Sequence, residues 1–279
     1  MLITSDLHIH SEHSYDAKNT VEEICEGARA QGLVRIGITD HLNFNDEKFL
    51  GDLRRSAEGV GEAQKKYPFL LLGVELTPIE RPEFLYIAKH GTREGYVAPV
   101  QDKPFDIELA LTKEELMALG VRYAVGGAHW RVDVPNGRQL PVDFDKTVRE
   151  FYRQQMFLAC DERVTILAHP WYHGKQIWYE NFDLIPRSMK TDIGAALKEN
   201  GKNVECNLHF FTIGRATERF RHQYAEHLRE YFEMGIGVTF GSDSHSHYSD
   251  QRADAEKYLR AAGFVEGDFK TLAESDLWF

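Results

Sequence analysis

The chain has few cysteines, no excess of basic residues and no long apolar run, and each absence excludes a class of protein. Cys25, Cys160 and Cys206 are far apart and show no Cys-x-x-Cys spacing, which favours buried, reduced thiols in a cytoplasmic protein. The formal net charge of −11 opposes a broad surface for long nucleic acid, which needs a basic stripe. No stretch approaches the ~18 apolar residues of a membrane span, and the first residues lack the basic region of a signal peptide.

The length and composition predict one domain. With 279 residues, of which 42% are hydrophobic, the chain can bury a large core, and single α/β barrels often have this length. No Pro-rich, Ser-rich or low-complexity stretch marks a linker. The candidate functional residues extend from residue 8 to residue 245, so independent domains would separate them. We therefore expect a single domain over residues 1–279.

Short apolar runs alternate with segments of helical period. Thr20-Val21-Glu22-Glu23 and Thr112-Lys113-Glu114-Glu115 are capping boxes. Because this alternation favours a parallel sheet, and about seven strands suggest closure, we predict an α/β barrel with its chemistry at the carboxyl ends of the strands. The pattern also predicts a helix over 46–66 that is broken by its glycines, and a long loop over 89–111. After the N-terminal run, the predicted strands are 34–39, 69–75, 84–88, 123–127, 164–168, 204–207 and 236–240.

Nine histidine, aspartate and glutamate residues lie at or just after the ends of apolar runs. His8 and His10 are two apart, so both imidazoles point the same way on an extended segment. Glu75 is the only charged residue of its run, and a buried carboxylate needs a partner, so we propose that it bridges two cations. The nine candidate metal ligands are His8, His10, Asp16, His41, Glu75, His129, His169, Asp243 and His245.

Each candidate also has a simpler interpretation. A His-x-His pair is a weak signal by itself, and Asp16 could stabilise a local turn. Glu75 could form an ion pair with Arg81 instead of binding metal. His129 or His169 alone would more often be a hydrogen-bonded core histidine than a ligand. The recurrence of these residues at successive strand ends favours a metal site over the separate alternatives.

The ligand atoms would be nitrogen and carboxylate oxygen, without thiolate. This donor set suits Zn²⁺, Mn²⁺ or Fe²⁺ better than Ca²⁺ or Mg²⁺. Structural zinc sites are closed by four ligands, usually including cysteine. Nine ligands instead divide among two to three divalent ions and leave positions open for water and substrate. The pattern therefore favours a catalytic centre with several metals.

The order of these motifs resembles the PHP superfamily, named for polymerase and histidinol phosphatase domains. The motifs are His-x-His, Thr-Asp-His, Gly-x-Glu, His, His-Pro and Gly-Ser-Asp-x-His, and the resemblance covers nearly the whole chain. It implies a distorted (β/α)7 barrel, a trinuclear metal site and a metal-dependent phosphoesterase. The resemblance assigns one metal to His8, His10, Glu75 and Asp243, a second to Glu75, His129 and His169, and a third to Asp16, His41 and His245.

Within the superfamily, the chain is most similar to the histidinol-phosphatase-like branch. Val204-Glu205-Cys206-Asn207 followed by Gly214-Arg215 resembles that branch's Glu-x-Asn…Gly-x-Arg segment, with a longer interval here. His129-Trp130 stands where the branch often has His-Phe or His-Tyr, and Trp171-Tyr172-His173 is not typical of it. These departures leave the chemistry intact but argue against assigning histidinol phosphate as the substrate.

Other residues near the candidate ligands could contact a substrate. Arg131 and Arg215 could each hold a phosphate through two hydrogen bonds, or pair with an acid at the surface. His173 and His247 could donate a proton or contact a ligand from outside the metal site. We expect packing roles for Trp130, Trp171, Trp178 and Tyr172, and structural or surface roles for His13, His90, His209, His222 and His227.

The leading expectation is hydrolysis of a small phosphate monoester. Bridged metals would lower the pKa of a bound water and deliver hydroxide to phosphorus, with catalytic roles for Glu75, Asp243 and His245. Two alternatives stay open. One is a phosphodiesterase for short oligonucleotides or nucleotide bisphosphates, and the other is a non-catalytic metal-binding scaffold. The expected partner is a small phosphorylated molecule rather than a membrane or long nucleic acid.

Overall fold

The computed structural model of the chain describes residues 2–99, 103–129, 143–172 and 178–279. Strands and helices alternate along most of these residues. The strands are β1 (Ser5–Ile9), β2 (Arg35–Ile38), β3 (His41–Leu42), β4 (Leu70–Leu76), β5 (Ile79–Glu80), β6 (Ile107–Glu108), β7 (Tyr123–Gly126), β8 (Ile166–Leu167), β9 (Asn203–Asn207) and β10 (Val238–Gly241). The helices are α1 (Val21–Ala30), α2 (Glu47–Gln64), α3 (Arg81–His90), α4 (Lys113–Ala118), α5 (Phe144–Cys160), α6 (Arg187–Glu199), α7 (His209–Thr212), α8 (Glu218–Glu233) and α9 (Arg252–Ala261).

Seven parallel strands form a nearly closed barrel in the order β1-β2-β4-β7-β8-β9-β10. The two ends of this sheet meet through main-chain hydrogen bonds. The backbone N–H of Asp243 donates to the carbonyl of His8 at 2.8 Å, and that of His10 donates to the carbonyl of Ser244 at 3.1 Å. The short strand β3 pairs with the end of β4. The predicted distorted (β/α)7 barrel is confirmed.

The helices cover the outside of the barrel with apolar stripes. In α1, the buried positions Val21, Ile24, Cys25 and Ala28 recur at the helical period. The side chains of Thr20 and Thr112 accept the backbone N–H three residues later, so both predicted capping boxes are present. None of the helices within the described ranges is long and apolar enough to span a membrane.

Two predictions about secondary structure are wrong. Residues 84–88, predicted as a strand, lie within α3, which begins beside Pro82 and ends at Gly91 in a left-handed conformation. A short apolar run does not distinguish a strand from a buried helical segment. Helix α2 is also continuous rather than broken, and a Cβ at its Gly59 would lie 2.7 Å from Nε2 of His13. This glycine therefore permits close packing.

The segment 89–111 is only partly the long loop that the sequence predicts. Its first two residues complete α3, and β6 pairs antiparallel with β5 in a small sheet that is separate from the barrel. Two such short strands are too brief to show an alternating pattern in the sequence.

The cysteines are free thiols, but they are not all buried as predicted. Cys25 and Cys206 are buried, whereas Cys160 is exposed. Cys160 is the last residue of α5 and lies beyond the buried positions Leu158 and Ala159. Its position at the end of the helix takes it out of the core.

Candidate metal centre

All nine predicted ligands lie at or near the carboxyl ends of the barrel strands. His8 is in β1, His41 is in β3 and Glu75 is in β4, while the other residues follow strands or occupy the adjoining loops. These ends meet at one rim because the strands are parallel. His10 and Glu75 are 0% exposed, and His8, His41 and His169 are also buried. The fold therefore gathers side chains that are far apart in the sequence into one polar cluster.

The first predicted group consists of His8, His10, Glu75 and Asp243. The Nε2 atoms of His8 and His10 are 3.1 Å apart, and they lie 3.4 and 3.5 Å from Oε2 of Glu75. Oδ1 of Asp243 lies 3.3 Å from Nε2 of His10 and 3.7 Å from Nε2 of His8. Atoms bound to one tetrahedral ion at ~2.0–2.2 Å are separated by roughly 3.3–3.6 Å. The group has a spacing that one metal ion would accept.

The other oxygen of Glu75 faces the second predicted group. Oε1 lies 3.1 Å from Nε2 of His129 and 2.8 Å from Nε2 of His169. The rings of these two histidines are close and tilted, with centroids 4.9 Å apart. Because Oε1 faces His129 and His169 while Oε2 faces His8, His10 and His41, Glu75 has the arrangement of a bridging ligand.

The third predicted group is Asp16, His41 and His245. Oδ2 of Asp16 lies 3.5 Å from Nε2 of His41 and 3.7 Å from Nε2 of His245, and the two Nε2 atoms are 3.3 Å apart. Within the described chain, compact triplets of ligand atoms also form from His41, Glu75 and His129, and from His10, His41 and His245. His41 thus links the third group to the other two, and the assignment of each residue to one ion stays a prediction.

The electrostatics of the cluster fit bound cations. Burial alone would raise the pKa of Glu75, but the imidazoles of His129, His8 and His41 hold it well below its usual range. Oε2 of Glu75 has no hydrogen-bond partner, since Nδ1 of His41 is 2.8 Å away but not aligned for one. A buried ionised carboxylate is costly unless it is paired or binds a metal. A metal ion would satisfy this oxygen.

The hydrogen bonds of two of the predicted ligand histidines leave Nε2 as the atom that could bind a metal. Thr77 donates its hydroxyl to Oδ1 of Asn43 at 2.6 Å, so Nδ1–H of His129 donates to Oγ1 of Thr77 at 3.1 Å. In His245, Nδ1–H donates to the carbonyl of Asp243 at 2.9 Å. A neutral imidazole that donates from one nitrogen offers the lone pair of the other. Both Nε2 atoms point into the cluster.

Backbone strain is concentrated at the same rim. The described non-glycine residues with positive φ are His169 (26°), Trp171 (66°), Asp243 (54°) and His247 (77°). All four lie in the segments after β8 and β10. Oδ1 of Asn19 accepts the backbone N–H of His247 at 2.6 Å and helps to hold this conformation. Such strain persists where the surrounding structure imposes it, and it often marks functional sites.

The residues predicted to contact substrate are less well defined by the structure. Arg131 and His173 lie outside the described residues, as does Trp130, for which the sequence predicted a packing role. Arg215 is exposed in the segment between α7 and α8, and His247 is exposed beside the third group. Their roles in substrate binding stay predictions.

Two aromatic residues at the rim were not predicted to have a functional role. The ring of Tyr172 lies 5.3 Å from that of His169 and 5.6 Å from that of His209. Burial lowers the pKa of His209, and the imidazoles of His169 and His245 lower it further, although Asp243 opposes that change. His209 is the first residue of α7, two residues after the end of β9, and its position near a strand end was the signal that could have identified it. Trp171 and Trp178 instead pack in the core, as expected, with Nε1–H of Trp178 donating to the carbonyl of Trp171 at 2.7 Å.

Comparisons with known proteins agree with this fold. A family model for the PHP domain matches residues 6–270. A "Probable phosphatase" of Acetivibrio thermocellus is 27% identical over 256 residues, which are 91% of this chain and 84% of that protein. A similar solved structure is the crystal structure of histidinol phosphate phosphatase from Lactococcus lactis, complexed with zinc, L-histidinol and phosphate. Its alignment with this chain has a TM-score of 0.68 and 18% sequence identity and covers 99% of both chains. This structural likeness supports the barrel fold.

Proposed function

The chain belongs to the PHP domain family and is a metal-dependent phosphoesterase, and we propose that it hydrolyses a small phosphate monoester. The reaction takes place at the rim of the barrel, with two to three Zn²⁺, Mn²⁺ or Fe²⁺ ions held by the nine residues described above. These residues come from both ends of the chain, which supports a single domain over residues 1–279.

The arrangement of Glu75 carries this proposal. Its two carboxylate oxygens face separate sets of imidazoles, and the side chain is 0% exposed. A carboxylate in an ordinary ion pair, such as the one considered with Arg81, would face a guanidinium instead. Arg81 is exposed and lies near Glu108, at 3.8 Å. The alternative of a Glu75–Arg81 pair is therefore wrong.

The residues of the centre would have distinct tasks. Divalent ions, when bound, would lower the pKa of a water and stabilise charge on the phosphoryl oxygens. Glu75 holds the two groups of imidazoles around one carboxylate, so it sets their separation. Asp243 and His245 come from one strained loop, and the hydrogen bond from Nδ1–H of His245 to the carbonyl of Asp243 fixes the ring. Tyr172 and His209 are only partly buried beside these ligands and would border the substrate.

A phosphate monoester is the proposed substrate class. The names of the Acetivibrio and Lactococcus relatives both include a phosphatase activity, which supports a monoester. The departures after His129 and His169 argue against transferring histidinol phosphate itself. Arg215, together with Arg131, is proposed to hold the phosphate, because a guanidinium can donate two parallel hydrogen bonds to it.

The proposal can be tested on undialysed protein purified without chelators. Elemental analysis should find two to three equivalents of divalent transition metal per chain. A panel of small phosphomonoesters and matched diesters, assayed with Mn²⁺, Zn²⁺ and Fe²⁺, should show higher kcat/KM for monoesters.

Three outcomes would contradict parts of this proposal. A protein that neither contains nor takes up these metals excludes the metal centre. A preference for diesters assigns the protein to the phosphodiesterases. Full metal content without turnover of any ester in the panel favours the non-catalytic scaffold.

A further inference from the structure

Glu205 is a buried carboxylate in β9 that lies behind the proposed ligands. It is 1% exposed. Oε1 lies 2.7 Å from Nδ1 of His8, and Oε2 accepts the backbone N–H of His169 at 2.5 Å. Oε2 also accepts a hydrogen bond from Nδ2 of Asn207 at 3.1 Å. One side chain thus contacts residues from three different strands or strand ends.

The donors around Glu205 determine the tautomer of His8. An ionised carboxylate only accepts hydrogen bonds, so the close contact requires the proton to be on Nδ1 of His8. Nε2 of His8 then carries the lone pair and faces His10 and Glu75. Carboxylates that accept a proton from a ligand histidine orient the ring and make it a stronger ligand.

The contact with His169 acts on the main chain. His169 has a φ of 26°, which is unfavourable for a residue with a side chain. Its backbone N–H is held by Oε2 of Glu205, while its Nε2 lies 2.8 Å from Glu75 on the opposite side. A charged hydrogen bond to this N–H therefore helps to hold a strained ligand in place.

Asn207 extends the same network to a fourth ligand. Its Nδ2 donates both to Oε2 of Glu205 and to Oδ2 of Asp243, at 3.1 and 3.2 Å. Its Oδ1 accepts the backbone N–H of His209 at 2.9 Å, so the orientation of the amide is determined. Oδ1 of Asp243 is left facing His8 and His10.

The neighbouring strand leaves room for this carboxylate. A Cβ at Gly241 would lie 1.9 Å from Oε1 of Glu205 and 2.6 Å from Cβ of His8. Any side chain at position 241 would displace one of them. β10 therefore has a glycine where it passes the contact between Glu205 and His8.

We propose that Glu205 is a positioning residue that fixes His8, His169 and, through Asn207, Asp243 as metal ligands, without binding a metal itself. The inference rests on the proposed metal centre. Among the described residues, Glu205 is in none of the compact triplets of ligand atoms. The network reaches the first and second predicted groups, whereas Asp16, His41 and His245 lie outside it. Glu205 should thus govern two of the three metal positions.

Glu205→Gln tests this role with almost no change in size. If the amide oxygen of Gln faces His8, the amide NH₂ group lies against the N–H donors of His169 and Asn207 and cannot accept their hydrogen bonds. If the amide is turned round, its NH₂ opposes Nδ1–H of His8 and favours the tautomer that cannot bind metal through Nε2. Both orientations lose contacts, so two metal equivalents should bind ~10- to 100-fold more weakly, and the third should keep its affinity. Mn²⁺ or Zn²⁺ titration with a chelator as competitor measures this.

The matched control is Asn203→Ala in the same strand. Asn203 is buried two residues before Glu205, and its Nδ2 donates to the carbonyl of Thr165 rather than to a proposed ligand. It should leave all metal affinities unchanged. Nitrogen NMR of the metal-free protein gives a second reading at a pH where the His8 ring is neutral, because that ring should be protonated on Nδ1 in the wild type and should change tautomer or become mixed in Glu205→Gln. Glu205→Asp keeps the charge and should recover part of the affinity.

The results separate this inference from the proposed function. If the wild type binds two to three metals and Glu205→Gln binds them equally well, the positioning role is wrong and the metal centre stands. Equal weakening in Asn203→Ala, or uniform loss of all metals, would also overturn it, since either would indicate general disruption of β9. If the wild type binds no metal but His8 shows the expected tautomer, the metal centre is wrong while the hydrogen-bond network stands.

Discussion

Replacement of Glu75 by glutamine should be among the most damaging conservative changes in this protein. The amide has nearly the same shape, but it carries no charge and bridges two cations poorly. In the structure, Oε1 lies within 3.1 Å of His129 and His169, and Oε2 lies within 3.5 Å of His8 and His10. The substitution therefore removes one ligand from each of two proposed metal positions.

The size of the loss follows from this double role. Changing a residue that only supports a ligand costs ~10- to 100-fold in metal affinity or activity. Weakening two positions by at least that factor lowers kcat/KM by about 10²- to 10⁴-fold. This is equivalent to roughly 3–5 kcal/mol of transition-state stabilisation at ~1.36 kcal/mol per tenfold change. The metal affinity of each of the two positions should fall by the single factor of ~10- to 100-fold, and the metal content after dialysis should fall with it.

The assay compares kcat/KM on an aryl phosphate with metal content measured on the same preparations. Glu83→Gln is a suitable control because Glu83 is also a buried carboxylate, but it lies in α3 and pairs with Arg93 just after that helix. It should retain wild-type turnover and metal content. If Glu75→Gln retains both as well, the bridging assignment is refuted, whatever the effect of the control.

Three further predictions concern the substrate and the rest of the fold. Arg215→Ala should reduce kcat/KM more for an aryl phosphate than for its methyl diester, because the monoester carries one more negative charge, and equal losses would remove Arg215 from phosphate recognition. Burial raises the pKa of Asp161, but hydrogen bonds from Arg163 outweigh burial and lower the pKa in the folded protein. The ionised carboxylate therefore stabilises the fold at pH values above its ordinary pKa of ~3.9. This stabilisation is lost as the pH falls through the lower pKa of the folded protein. Asp161→Asn should therefore reduce the free energy of unfolding in urea by ~1–3 kcal/mol at pH 7 and by less near pH 2, and an equal change at both pH values would contradict this. Cys160 should react with a thiol reagent in the native protein while the two buried thiols react only in urea, and rapid reaction of all three would contradict their burial.

Much of the fold and the proposed ligand set could be derived from local patterns. An apolar run followed by a histidine or carboxylate identifies a strand end, as at Glu75 and His169, and capping boxes mark where α1 and α4 begin. These signals are local because strand alternation and helix capping depend on residues only a few positions apart. The strand predicted over 84–88 failed for the same reason, since a five-residue run is too short to show its period.

By itself, the sequence determined the residue types that can bind metal and their location at strand ends. The tertiary structure alone decided which of them face one another. Closure of the barrel between His8 and Asp243 brings together two segments that are far apart in the sequence. The same closure brings His8 to Glu205. The pairing of β8 with β9 places Glu205 against the backbone of His169 and His209 beside Tyr172. Such contacts depend on the order and stagger of strands around the barrel, a property of the whole sheet rather than of any one segment.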